Sequence, residues 1–118
     1  MSQHDVLTGI LNRMGLDKEV ADWLKAHPAS HGALVSLDLD GFKFINDLHG
    51  HMAGDEALRT LAKDLIESFG HDQIIGRNGG DEFVVFMKDT EPEQAEKVIK
   101  AFSSKVKTFT YDGETHAF

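Results

Sequence analysis

Residues 73–88, QIIGRNGGDEFVVFMK, set two apolar runs of strand character on either side of Asn78, Gly79 and Gly80. Asparagine and glycine accept the left-handed backbone of a tight turn, so the segment predicts an antiparallel hairpin of QIIGR, 73–77, and EFVVFMK, 82–88. An isolated hairpin is barely stable in water, so this one requires a larger sheet with a covered apolar face. The same segment places Asp81 and Glu82 side by side at the tip. Adjacent carboxylates repel each other and favour a nearby cation, although acids at a hairpin tip are also ordinary solvated side chains.

A second strand is predicted over 32–40, GALVSLDLD, where Val35, Leu37 and Leu39 alternate with Ser36, Asp38 and Asp40. A period of two puts the acids on one face. Leu16, Val20, Trp23 and Leu24 recur at helical spacing within 13–27, and Pro28 follows. GFKFINDLHGHM, 41–52, is helical at first and broken at Gly50. A longer helix is predicted from Gly54 to near Gly70, carrying Ala57, Leu58, Leu61, Ala62, Leu65, Ile66 and Phe69. Thr90 and Glu93 have capping-box spacing ahead of Ala95, Val98, Ile99, Phe102 and Val106, a further helix. KTFTYDGETHAF, 107–118, reads as two strands around Asp112-Gly113. This order predicts one α+β domain, with a ferredoxin-like or palm-like antiparallel sheet and helices mostly on one face.

The 118 residues are 41% hydrophobic, enough for one core and too few for two domains. Twelve Lys and Arg against twenty Asp and Glu give a net charge of -8, which opposes binding to a nucleic-acid backbone. A small phosphorylated ligand is compatible with that charge if a divalent cation reverses the local sign. No cysteine is present, which excludes disulfides, thiolate metal sites and cysteine nucleophiles and suits a reducing cytoplasm. Neither a leader-like N-terminus nor an apolar run of membrane-spanning length is found, so no membrane contact is expected of this chain.

If the 32–40 strand and the hairpin are neighbours, Asp38, Asp40, Asp81 and Glu82 converge from two distant segments, and such hard oxygen donors suit Mg²⁺. Asn46 and Asp55 could match the donor and acceptor edge of a guanine, since a carboxylate accepts two donors and an amide can do either. Both could equally cap helices, Asp55 lying in the first turn of the predicted long helix. A calcium loop beginning at Ser36 has Asp38, Asp40 and Gly41 in register, but its upstream segment is strand-like and Asp47 replaces the closing Glu. His49 and His51 could bind a transition metal but lack further obvious ligands. No phosphate loop of the GxxxxGK[ST] kind and no GxSxG elbow occurs.

Four blocks, DVLTGILNR at 5–13, DLDGFKFINDLHGH at 38–51, AGDEAL at 53–58 and GRNGGDEF at 76–83, together resemble the diguanylate cyclase (GGDEF) family in order and spacing. The resemblance covers 5–118. It implies a palm-like domain of nucleotide-cyclase type that condenses two GTP into cyclic di-GMP with release of two pyrophosphates, for bacterial second-messenger signalling. It also implies Mg²⁺, with Mn²⁺ as a substitute, held by Asp38, the Leu39 carbonyl and Asp81. Asp81 would activate the ribose 3′-hydroxyl, Glu82 would assist the metal site, and Lys43 would stabilise charge on the phosphates. Asn46 and Asp55 would read guanine with His51 nearby, and Phe42, Gly79 and Gly80 would complete the substrate contacts. Catalysis would need a homodimer, each copy holding one GTP. The implied setting is the bacterial cytoplasm, with a sensor domain beyond this chain and the chain itself the cytoplasmic part of a larger protein.

Two departures shape the expectations. Members with product inhibition carry an RxxD pattern upstream of the signature, where this chain has Gly70, His71, Asp72 and Gln73, so no inhibitory cyclic di-GMP binding is expected there. The family also continues for a strand, a helix bearing a Lys and an Arg, and a closing hairpin. A 118-residue domain without that C-terminal portion is expected to turn over weakly or not at all, which keeps a GTP-binding regulatory domain as the alternative reading.

Overall fold

The computed structural model describes residues 2–39 and 41–104, and the backbone of 108–111 and 114–117. The elements run α1 (Arg13–Ala26), β1 (Gly32–Asp38), α2 (Phe42–His49), α3 (His51–Phe69), β2 (Ile74–Arg77), β3 (Glu82–Lys88), α4 (Pro92–Ser104), β4 (Thr108–Tyr111) and β5 (Glu114–Ala117). The α+β architecture is the one the sequence predicts.

β3 is the middle strand of an antiparallel sheet ordered β1-β3-β2, and β4 and β5 form a separate two-stranded sheet. The β1–β3 register pairs Val35 with Val85, Leu37 with Phe83 and Asp38 with Glu82. Alternation then sorts the residues as their hydropathy requires. Ala33, Val35 and Leu37 share a face with Met87, Val85 and Phe83, and this face meets Leu58, Leu61 and Leu65 of α3 and Phe102 of α4 in the main core. The opposite face carries Leu34, Ser36, Asp38, Phe86, Val84 and Glu82. α1 covers part of it through Leu16, Val20 and Trp23 packed near Phe86 and Ile74. Trp23 meets the Phe86 ring edge-on at 5.6 Å between centroids.

Three differences from the sequence reading bear on the site. The long helix starts at His51, three residues before Gly54, because Gly50 at φ +92° ends α2 and opens α3 in a single residue. Asp55 is therefore the fifth residue of α3, and neither it nor Asn46 is a cap. The capping box ahead of α4 is shifted: Gln94 Oε1 accepts the Glu91 amide at 3.2 Å, while the buried Thr90 hydroxyl donates to the Lys88 carbonyl at 2.9 Å. A proline at the first helical position fixes this register, since Pro92 has no amide to satisfy. Finally, β1 ends at Asp38, not at residue 40. Its ladder to β3 through Asp38 leaves no entering helix for the calcium-loop alternative. Asp40, Val106 and the Asp112-Gly113 turn lie outside the described residues.

Candidate active site

Two groups of residues assemble near the C-terminal end of β1. The first comes from the strand ends. Asp38 stands directly opposite Glu82, so their side chains share the α1 face, and the Leu39 amide donates to the Asp81 carbonyl at 3.2 Å. Asp38, Leu39, Asp81 and Glu82, up to 44 positions apart in sequence, are thus neighbours at one corner of the sheet. Leu39 is buried and Asp38 exposed, which anchors the backbone of the corner while leaving a carboxylate to solvent.

The turn itself is tightly bonded. The Asn78 amide donates to the Glu82 carbonyl at 2.9 Å and the Glu82 amide to the Gly79 carbonyl at 3.0 Å. Asn78 Nδ2 donates to Glu82 Oε1 at 2.6 Å, so the Glu82 carboxylate is engaged within the turn. Gly79 and Gly80 take φ of +105° and +51°, which glycine tolerates without steric cost.

The second group sits where α2 meets α3. Ile45 packs into the core and turns Phe42 and Asn46 toward α3. A Cβ built on Gly54 would overlap Asn46 Oδ1 and lie 3.2 Å from the Phe42 ring. The absent side chain at position 54 is what lets Asn46 lie flat against the helix, one residue from the half-buried Asp55. Asn46 Oδ1 is buried with no hydrogen-bond partner. An unsatisfied buried acceptor costs roughly 1–3 kcal/mol, which a ligand donor at this spot would recover. Lys43 is exposed in the first turn of α2, and His51 is exposed at the start of α3.

Among the described residues no three His, Asp or Glu side chains gather into a metal cluster. The donor set implied by the resemblance has two carboxylates and a main-chain carbonyl. Asp38, Leu39 and Asp81 are backbone neighbours at this corner, and their oxygens are of the hard kind that Mg²⁺ takes. An open groove of about 480 Å³ runs between α1 and the sheet, walled by Leu16, Val20, Leu34, Val84, Asn78 and Glu82. It shares Glu82 with the sheet corner and none of Phe42, Asn46 or Asp55.

Three contributors escape a local reading of the sequence: Gly54, and the Asp5–Arg77 pair bonded at 3.1 Å. Gly54 sits inside an apolar periodic stretch where a glycine is out of place in a helix, and that mismatch was the available signal. Asp5 and Arg77 are 72 residues apart and no local pattern links them.

The family model for the diguanylate cyclase GGDEF domain matches residues 2–116. The probable diguanylate cyclase DgcE of Escherichia coli K12 is 35% identical over 119 residues, covering 98% of this chain and 11% of that protein. The cyclic di-GMP phosphodiesterase PdeR of the same organism is 32% identical over 108 residues, 92% of this chain and 16% of PdeR. The chain therefore spans only about a tenth to a sixth of these relatives. Among solved structures, a sensory box/GGDEF family protein from Caulobacter crescentus CB15 superposes with a TM-score of 0.88 at 33% identity, covering 98% of this chain and 78% of that one. With the signature turn, the Asp38 corner and the α2–α3 corner in one fold, and a match from residue 2 to residue 116, the chain belongs to the diguanylate cyclase GGDEF domain family.

Proposed function

We propose that this domain binds GTP with Mg²⁺ and, as a homodimer, condenses two GTP into cyclic di-GMP and two pyrophosphates. The orphaned Asn46 Oδ1 carries the reading: a buried acceptor held beside Asp55 asks for donors, and the guanine edge offers a ring N–H and an exocyclic amine together. Adenine offers a ring acceptor in place of that ring donor, so the same corner rejects ATP.

In this reading Asp38, the Leu39 carbonyl and Asp81 would hold Mg²⁺, or Mn²⁺ in its place. Bound there, the ion would supply Lewis acidity, lowering the pKa of the attacking hydroxyl and offsetting charge on the α-phosphate. Asp81 takes the proton from the ribose 3′-hydroxyl, whose oxygen forms the bond to the α-phosphorus of the second GTP as pyrophosphate leaves. Glu82, held by Asn78, supports the metal corner. Lys43 reaches the phosphates from the solvent side, and Phe42 and His51 flank the base. Gly79 and Gly80 let the triphosphate approach the backbone. Two copies face each other because one α2–α3 corner accommodates one guanine, and the reaction runs twice to close the ring.

No helix among the described residues is long and apolar enough to cross a membrane. The proposed setting is the bacterial cytoplasm, with a sensor elsewhere in a longer protein. A second reading, a GTP-binding regulatory domain without turnover, draws on PdeR, a relative named for the opposite chemistry. Pyrophosphate release from GTP and Mg²⁺, measured beside calorimetric GTP binding for the chain and for Asp81→Ala, separates them. Release by the parent that vanishes in Asp81→Ala with GTP binding retained supports the cyclase. Binding without release by the parent assigns the regulatory role, and no GTP binding contradicts both.

A further inference from the structure

We propose that Arg77 and Asp5 are a positioning pair that fixes the signature turn, so that the N-terminal turn of the domain sets where Asp81 stands. The inference rests on the role given to Asp81 above, but the pair can be tested without turnover.

Two consecutive glycines at positive φ have wide conformational freedom, and the bonds that close the turn join Asn78, Gly79 and Glu82, so the Gly80 peptide is held by a side chain instead. That side chain is the Arg77 guanidinium. Its Nε donates to the Gly80 carbonyl at 2.8 Å, and its Nη1 donates to Asp5 Oδ1 at 3.1 Å. Gly80 is bonded directly to Asp81, so one planar fork joins the N-terminal turn to the peptide preceding the proposed base. The Asp5 and Arg77 side chains are only 17% and 16% exposed, which limits solvent screening of the pair.

Asp5 is itself held from its other oxygen. Asp5 Oδ2 accepts the Thr8 amide at 2.9 Å and the Thr8 hydroxyl at 2.7 Å. The backbone runs in parallel with these contacts: the Arg77 amide donates to the Leu11 carbonyl at 2.8 Å, and the Leu11 amide to the Ile75 carbonyl at 3.3 Å. Upstream, the Asn12 amide donates to the Gln3 carbonyl at 2.9 Å, and a Cβ on Gly15 would overlap that same carbonyl. Residues 3–12 are therefore seated against α1 and β2 as a unit. A displacement of that unit reaches Gly80 through a single side chain.

The test uses Arg77→Lys, which keeps the charge but loses the fork, and Asp5→Asn, which keeps an acceptor for Thr8 but loses the charge. Asp22→Asn is the control, since it breaks an exposed ion pair with Lys18 on α1 that touches neither Asp5 nor Arg77. Amide hydrogen exchange is read at Asn78 and Glu82, whose amides close the turn, and at Leu61 and Leu65 in α3 as a measure of global stability. Exchange at Asn78 and Glu82 should quicken at least tenfold more than exchange at Leu61 and Leu65 in both pair variants, and Asp22→Asn should leave all four amides within threefold of the parent. In GTP turnover the same two variants should lose at least tenfold in kcat with KM within twofold, and need more Mg²⁺ for half-maximal rate. Turn amides that quicken no more than Leu61 and Leu65 do, in both variants, would overturn the proposal. If the parent neither binds nor turns over GTP, the cyclase reading fails while the exchange result still decides the brace.

Discussion

Asn46 is held in place by the side chain that its neighbour lacks. Gly54 interrupts α3 with a residue about 1 kcal/mol worse than alanine in a helix, and the Asn46 amide occupies the space so released. Gly54→Ala should therefore separate stability from binding. The helix gains propensity, the flexible amide swings aside, and thermal stability stays within about 1 kcal/mol of the parent, while calorimetric GTP affinity falls at least tenfold. Asp5 makes a second residue-level prediction. Burial pushes its carboxyl up, but the Thr8 hydroxyl and amide and the Arg77 guanidinium more than offset this, leaving it below the ordinary 3.8. A folded-state pKa below the unfolded one adds stability that is present above the unfolded value and is lost as pH falls through the folded value. The urea midpoint of Asp5→Asn should lie below that of the parent above the unfolded value, and the two should converge as pH falls through the lowered folded value.

Among the elements, strands and helices read from the sequence for different physical reasons and with different success. β1 and β3 were legible because alternation leaves only one way to bury Val35, Leu37, Phe83 and Val85 together. The start of α3 was not, because Gly54 resembles a helix breaker until the Asn46 side chain packed on it is known. The α4 cap slipped by a residue because Thr90, a good cap by type, is buried and spends its hydroxyl on Lys88. The α1–β2 contact lay beyond local pattern altogether: Leu16 closes on Gly76 so tightly that a Cβ there would overlap its side chain. Leu16 is itself buried, leaving little room to give. Gly76→Ala should cost about 1–3 kcal/mol in denaturant unfolding, the usual range for overpacking a filled site. A cost near zero would show that α1 moves freely on the sheet.

At the scale of the whole molecule, the fold collects residues 38–39, 42–46, 54–55 and 77–82 around one end of a three-stranded sheet, and ties residues 5–11 to the same hairpin. The four sequence blocks are these segments, which is why their order and spacing pointed to a family more firmly than any one motif. The local roles within each block were less legible, since Glu82 is engaged with Asn78 and Arg77 with Asp5 across distances no periodicity encodes. A net charge of -8 means that a triphosphate meets an unfavourable field unless a cation accompanies it. Calorimetric titration of GTP and of ATP into this chain with Mg²⁺ is the most direct test of the account. GTP is predicted to bind at least tenfold more tightly than ATP, and equal affinity for the two nucleotides would contradict it.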